Sequence, residues 1–98
     1  ARAARQNLLR RVTVVDDEAS YNATLRNISE TGAMLEGVWG VAAGQSVRIE
    51  LCADQSVIAK VRWARENRLG VEFESPIDRR ADGSFPILLG RAGLISAA

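Results

Sequence analysis

Asn27, Ser29 and Gly32, in the run NISETG, set an amide, a hydroxyl and a residue without a Cβ close together. Arg2, Arg5, Arg10 and Arg11 crowd the N-terminus with no acid among them. A guanidinium is a rigid planar fork that pairs bidentately with a phosphate or a flat polar edge, which a lysine ammonium cannot reproduce. An amide carbonyl accepts hydrogen bonds, a hydroxyl donates or accepts, and a glycine lets a flat ligand approach the backbone. Such residues can recognise a small anionic molecule. A turn alone would also explain them, with Asn27 as a turn residue, Ser29 as a local backbone cap and Gly32 as a left-handed corner.

Bond-making chemistry finds few parts. The chain has no histidine and one cysteine, Cys52, and the acids Asp16, Asp17 and Glu18 fall in a turn without an obvious metal-binding partner. No glycine-rich loop opens a helix. No catalytic residue, metal ligand or cofactor is assigned, and the chain is expected not to be an enzyme.

The elements that must position these residues follow from a period of two, which marks strands with one buried face. Val12 and Val14 share a face, as do Tyr21, Ala23 and Leu25, with a hairpin turn around DDEAS between them. Ala33 and Leu35 face inward on a short third strand, and VWGVAAGQ reads as a loop in which Trp39 is a candidate for a protein contact. Val47, Ile49 and Leu51 form the next face, then Val57, Ala59 and Val61, whose phase also points Trp63 inward to the core, the other reading being an indole that stacks on a purine; Val71 and Phe73 follow. Six short strands without a long amphipathic helix favour an antiparallel barrel or sandwich. After Ser75-Pro76 the polar run PIDRRADG is expected to form at most a short helix or a turn, and the apolar FPILLGRAGLI that follows is read as a segment covering one barrel end or else as a sticky partner surface.

With 98 residues, 47% hydrophobic and 26% charged, the chain suits one globular domain with one core. A net charge of +1 gives no strong attraction for a nucleic acid polymer. The opening ARAARQNLLRR lacks the apolar core of a signal peptide, and no apolar window approaches the length of a membrane span. No membrane insertion is expected, and the cytoplasm is the expected compartment.

A basic arm, a strand beginning RV, then NISETGAML, VRIEL, AKVRW and LGVEFE occur in order, and together they resemble the PilZ domain family over roughly residues 5–75. The resemblance implies an all-β fold: a six-stranded antiparallel PilZ-like β-barrel with a short C-terminal helix or covering segment. On residues 1–98 this gives a basic arm at 1–11, a barrel at 11–75 and a C-terminal segment at 76–98. It also implies a role in bacterial signalling, with cyclic di-GMP as ligand and a protein effector as partner. The family's turn motif is Asp or Asn, any residue, Ser, two of any kind, then Gly, which Asn27, Ser29 and Gly32 match in full. Its other motif is a pair of arginines with three residues between them, four positions apart, in the arm. Here no two arginines stand four positions apart: Arg2 to Arg5 is closer, and Arg5 to Arg10 and Arg5 to Arg11 are wider; if Arg11 is the second arginine, Asn7 stands in the place of the first. The ligand-binding residues the resemblance implies are Arg5, Arg10, Arg11, Asn27, Ser29 and Gly32.

Three functions compete: a cyclic di-GMP receptor and adaptor, a protein-interaction adaptor of the same fold that does not bind the nucleotide, and a barrel for single-stranded nucleic acid. The last lacks the exposed aromatic platforms that stacking needs. The arm separates the other two. Asn7→Arg, which sets arginines at 7 and 11, is expected to tighten cyclic di-GMP binding by on the order of 1–3 kcal/mol, read by isothermal titration.

Overall fold

Strands with one apolar face must cover it, and here they do so by closing on themselves. The computed structural model describes residues 6–88. Its six strands are β1 (Gln6–Val15), β2 (Ser20–Ile28), β3 (Gly32–Glu36), β4 (Ser46–Cys52), β5 (Gln55–Arg65) and β6 (Arg68–Phe73). They form a closed barrel in the order β1-β2-β3-β6-β5-β4, every pair antiparallel, with β1 returning to β4. The expected six-stranded all-β architecture is therefore observed. Val12, Val14, Ala23, Leu25, Leu35, Ile49, Val61 and Val71 fill the interior, as their alternation requires.

Antiparallel order puts the β1–β2, β3–β4 and β5–β6 connections at one end of the barrel. The β2–β3 turn, the β4–β5 turn and the chain after β6 lie at the other. In the first group Asp16 Oδ1 accepts from the backbone N–H of Glu18 and of Ala19, each at 2.8 Å. Those bonds hold its carboxyl below the usual aspartate value, so the acidic patch is accounted for as a capped turn. Val38 and Val41 in the following loop are buried and close this end, while Trp39 between them is 62% exposed.

At the other end the C-terminal segment covers the barrel. Phe85 and Leu88 are buried with the core, and 86–88 form a single helical turn. This bears out a C-terminal covering segment with a short helix up to residue 88, but the helical residues fall in the apolar run and not in PIDRRADG, which is irregular and ends in a turn.

β1 begins at Gln6, ahead of the Arg11 at which alternation becomes legible. Its first half pairs with β2 alone, from Gln6↔Ile28, and joins β4 only over Thr13–Val15. Residues 6–11 of the expected basic arm are thus strand, and Arg2 and Arg5 lie outside the described residues.

Gly32 is not a left-handed corner: the glycines with positive φ among the described residues are Gly37, Gly40, Gly44 and Gly83. Its requirement is steric, because a Cβ there would meet the carbonyl oxygen of Val71 on β6. Gly32→Ala is expected to force β3 from β6 and to lower stability by about 1–3 kcal/mol, measured by urea unfolding.

Candidate functional site

The NISETG turn is assembled by its own polar groups. Asn27 and Ile28 end β2, and the chain reverses so that Ser29 N donates to Gly32 O at 2.8 Å. Ser29 is 2% exposed. Its Oγ accepts from Thr31 N at 3.3 Å, donates to Gly32 O at 3.4 Å and lies 3.4 Å from Thr31 Oγ1. The structure thus places the Ser29 hydroxyl inside the turn as its clamp. Further bonds tie the turn outward: Phe73 N donates to Thr31 O and Ile77 N to Glu30 O, both at 2.8 Å. Glu30 also pairs with Arg79 at 3.3 Å, and the Arg79 guanidinium sits 4.9 Å from the centre of the Phe85 ring.

Asn27 stands on the outer face because β2 is bulged. Its register against β3 shifts between Leu25 and Asn27, so Leu25 and Ile28 are both buried while Arg26 and Asn27 between them are not. Asn27 is opposite Asn7 on β1 and Met34 on β3. Met34 is itself opposite Gly70 on β6, and Gly70 opposite Trp63 on β5. One lateral row on the outside of the barrel therefore runs Asn27, Met34, Gly70, Trp63, with Asn7 next to Asn27 in the strand register.

Trp63 does not enter the core, contrary to its phase with Val57, Ala59 and Val61. A second bulge between Val61 and Trp63 shifts the register of β5 against β6, and the side chain is 44% exposed. The five-membered ring of the indole covers Gly70, where a Cβ would collide with it. Gly70 is the signal that sequence reasoning passed over, since an isolated glycine in a strand marks a bulge or a close approach.

The arginines part company. Arg10, half-buried, turns toward β4, where its Nε donates to Leu51 O at 3.3 Å. Arg11 is exposed opposite Thr24 and borders a shallow groove of about 560 Å³ with Asn22, Gln55 and Ser56, where β1 and β4 have separated. Neither projects from the row that holds Asn27. Two arginines absent from the sequence expectations lie next to it: Arg26, immediately before Asn27, and Arg68, two residues before Gly70 on the same face. Arg26 Nη1 contacts Glu36 Oε1 at 3.0 Å, and Arg68 Nε contacts Glu36 Oε2 at 3.4 Å. Glu36, Trp63, Arg65 and Arg68 line a recess of about 640 Å³.

A closed six-stranded barrel with this turn and this strand order agrees with a comparison against known families, in which residues 1–84 match the PilZ domain. The chain belongs to the PilZ family. No curated protein matches it. PilZ domains are binding and adaptor domains that in general serve cyclic di-GMP signalling, and among the described residues no helix is long and apolar enough to cross a membrane.

In this PilZ barrel the motif serine is structural before any ligand arrives. Ser29→Ala removes the acceptor for Thr31 N–H and is expected to cost about 1–2 kcal/mol of stability in urea unfolding. An unfolding curve superimposable on the parent's would show that the clamp carries no weight.

Proposed function

We propose that this PilZ domain is a bacterial second-messenger receptor and adaptor: it binds cyclic di-GMP on the outer face of the barrel, in the cytoplasm, and relays occupancy to a protein effector. The observation that carries this is the lateral row itself. Asn27 and the Trp63 indole lie on one face in one register, with half-buried Met34 and the side-chain-free Gly70 between them. An amide carbonyl can accept from the N1 and N2 donors of guanine, and an indole offers a face on which a purine stacks. Gly32 allows β3 to lie close to β6, and Ser29 holds the turn that ends in Asn27's neighbours. Arg5, Arg10 and Arg11 remain the arm's contribution in this proposal, and Arg10 must leave Leu51 O to take part.

The relay has a physical route. Glu30, within the motif turn, is joined to Arg79, and Arg79 to Phe85, so the covering segment rests on the turn that the ligand would touch. A movement of Asn27 or Glu30 reaches the surface offered by residues 76–88 without crossing the core.

The engagement of Arg10 with Leu51 and the exposed Trp39 favour a second use, a protein adaptor on the same barrel without the nucleotide. Titration separates the two. Cyclic di-GMP is expected to give binding heat that weakens with added salt, because arginine–phosphate contacts are screened, and GMP is expected to bind much more weakly. Trp63→Ala is expected to cost on the order of 1–3 kcal/mol of binding. In a Trp39→Phe background the remaining indole emission should change on binding. Absence of heat at high ligand concentration would leave the adaptor.

A further inference from the structure

Once Arg10 is turned to Leu51, the ligand row needs cations from elsewhere, and the barrel wall holds two. Arg26 and Asn27 are the two residues that the β2 bulge turns outward together. Arg68 shares the outer face of β6 with Gly70, beneath the indole, and shares a recess with Trp63. Both guanidiniums rest on the two oxygens of one carboxylate, Glu36, which stands on β3 between them in the register Thr24, Glu36, Arg68. One acid thus holds two cations on the same side of the same row.

Each arginine gives Glu36 a single nitrogen, Nη1 from Arg26 and Nε from Arg68. A guanidinium carries five N–H donors. Among the described residues the remaining donors of both side chains have no partner. Their side chains are 40% and 51% exposed, so the ion pairs to Glu36 are weak and easily shared with an incoming anion. Arg62 and Arg48 are likewise exposed and singly bonded, but each has a carboxylate to itself. Arg62 is paired with Glu72 at 2.8 Å, and Arg48 is paired with Glu50 on β4, which is not a neighbour of β2, β3 or β6 in the barrel.

We infer that Arg26 and Arg68 are phosphodiester-binding residues of this domain, held in place by Glu36 as a positioning residue, and that they supply from the barrel wall the guanidinium pair that the arm's spacing does not. The inference rests on cyclic di-GMP being the ligand of the Asn27–Trp63 row. Two forks beside a stacking platform can take the ligand's phosphates while its bases lie over Met34, Gly70 and the indole. The arm is then an addition to the site and not its foundation.

Isothermal titration with cyclic di-GMP on the full chain tests this with Arg26→Ala, Arg68→Ala and the double variant, each checked by thermal melting. Each single change is expected to weaken binding by about tenfold or more, and the double change to abolish detectable binding and, where one residue remains, to flatten the salt dependence. Arg48→Ala, an exposed arginine on β4, is expected to bind as the parent does. If the double alanine variant melts early, the pair Arg26→Lys and Arg68→Lys keeps the charge beside Glu36 but loses the planar fork, and it is expected to weaken binding by about tenfold. A parent that binds cyclic di-GMP together with a folded double variant, alanine or lysine, that binds equally well would overturn the inference and leave the proposed function standing. A parent that does not bind removes both.

Discussion

Closure of six strands into one barrel divides their residues between core and solvent, and any residue that must face outward out of turn requires a break in the ladder. Of the four register shifts among the described residues, two bear on the candidate site, at Leu25/Asn27 in β2 and at Val61/Trp63 in β5. In β2 the break lets Arg26 and Asn27 face outward while Leu25 and Ile28 stay buried; in β5 Val61 is buried and Arg62, Trp63 and Ala64 after it are exposed. The two bulged strands flank the β3–β6 pair on its two sides. Their displaced residues meet in one row, and Gly70 leaves room in that row for an indole. Without the bulges Asn27 and Trp63 would not share the outer face, so the candidate site depends on irregularities in the sheet more than on its regular part.

The NISETG motif shows how structure and recognition occupy the same few residues. Gly32 is demanded by the carbonyl of Val71, and Ser29 by the N–H of Thr31, before any ligand is considered. The carbonyls of Thr31 and Glu30 accept from the N–H groups of Phe73 and Ile77, which fastens the end of β6 and the covering segment to the turn. Of the motif's Asn and Ser, only Asn27 stands on the outer face of the sheet. A pattern of three residues can therefore persist in a barrel for reasons of folding, and its presence points to a ligand only when the face beside it is suited to one.

Much of the fold was legible because period two survives wherever a strand is regular. The faces of Val12 and Val14, of Ala23 and Leu25, of Val47, Ile49 and Leu51, and of Val71 and Phe73 all point inward as their spacing requires. The failures fall at the bulges. Extending the phase of Val57, Ala59 and Val61 by one step buried Trp63, and nothing in VRW marks the extra residue; the informative position was Gly70, on another strand. QNLLRR hides the start of β1 for the same reason, since its register slips between Asn7 and Arg10 and only one edge is paired. The turn motif was readable as a string, yet whether its serine faced in or out depended on hydrogen bonds to Thr31 and Gly32 that no spacing encodes. Arg26 and Arg68 were passed over because a charged residue alternating with apolar ones reads as a solvated face, and their convergence on Glu36 exists only once β2, β3 and β6 are side by side.

Charge makes the last distinction. With a net charge of +1 the molecule has no long-range field to draw in an anion, and exposed pairs are screened within a Debye length of about 8 Å at physiological salt. Recognition on such a surface must come from contact geometry. The Glu36 cluster is not neutral: one carboxylate faces two guanidiniums, leaving one positive charge and several planar donors beside the row. An anion that arrives there replaces water on those donors without having to break a buried pair, and the order already present in the two side chains lowers the entropy lost on binding. A flexible arm would have to lose that entropy at the moment of capture, whereas arginines anchored to the barrel have lost part of it on folding.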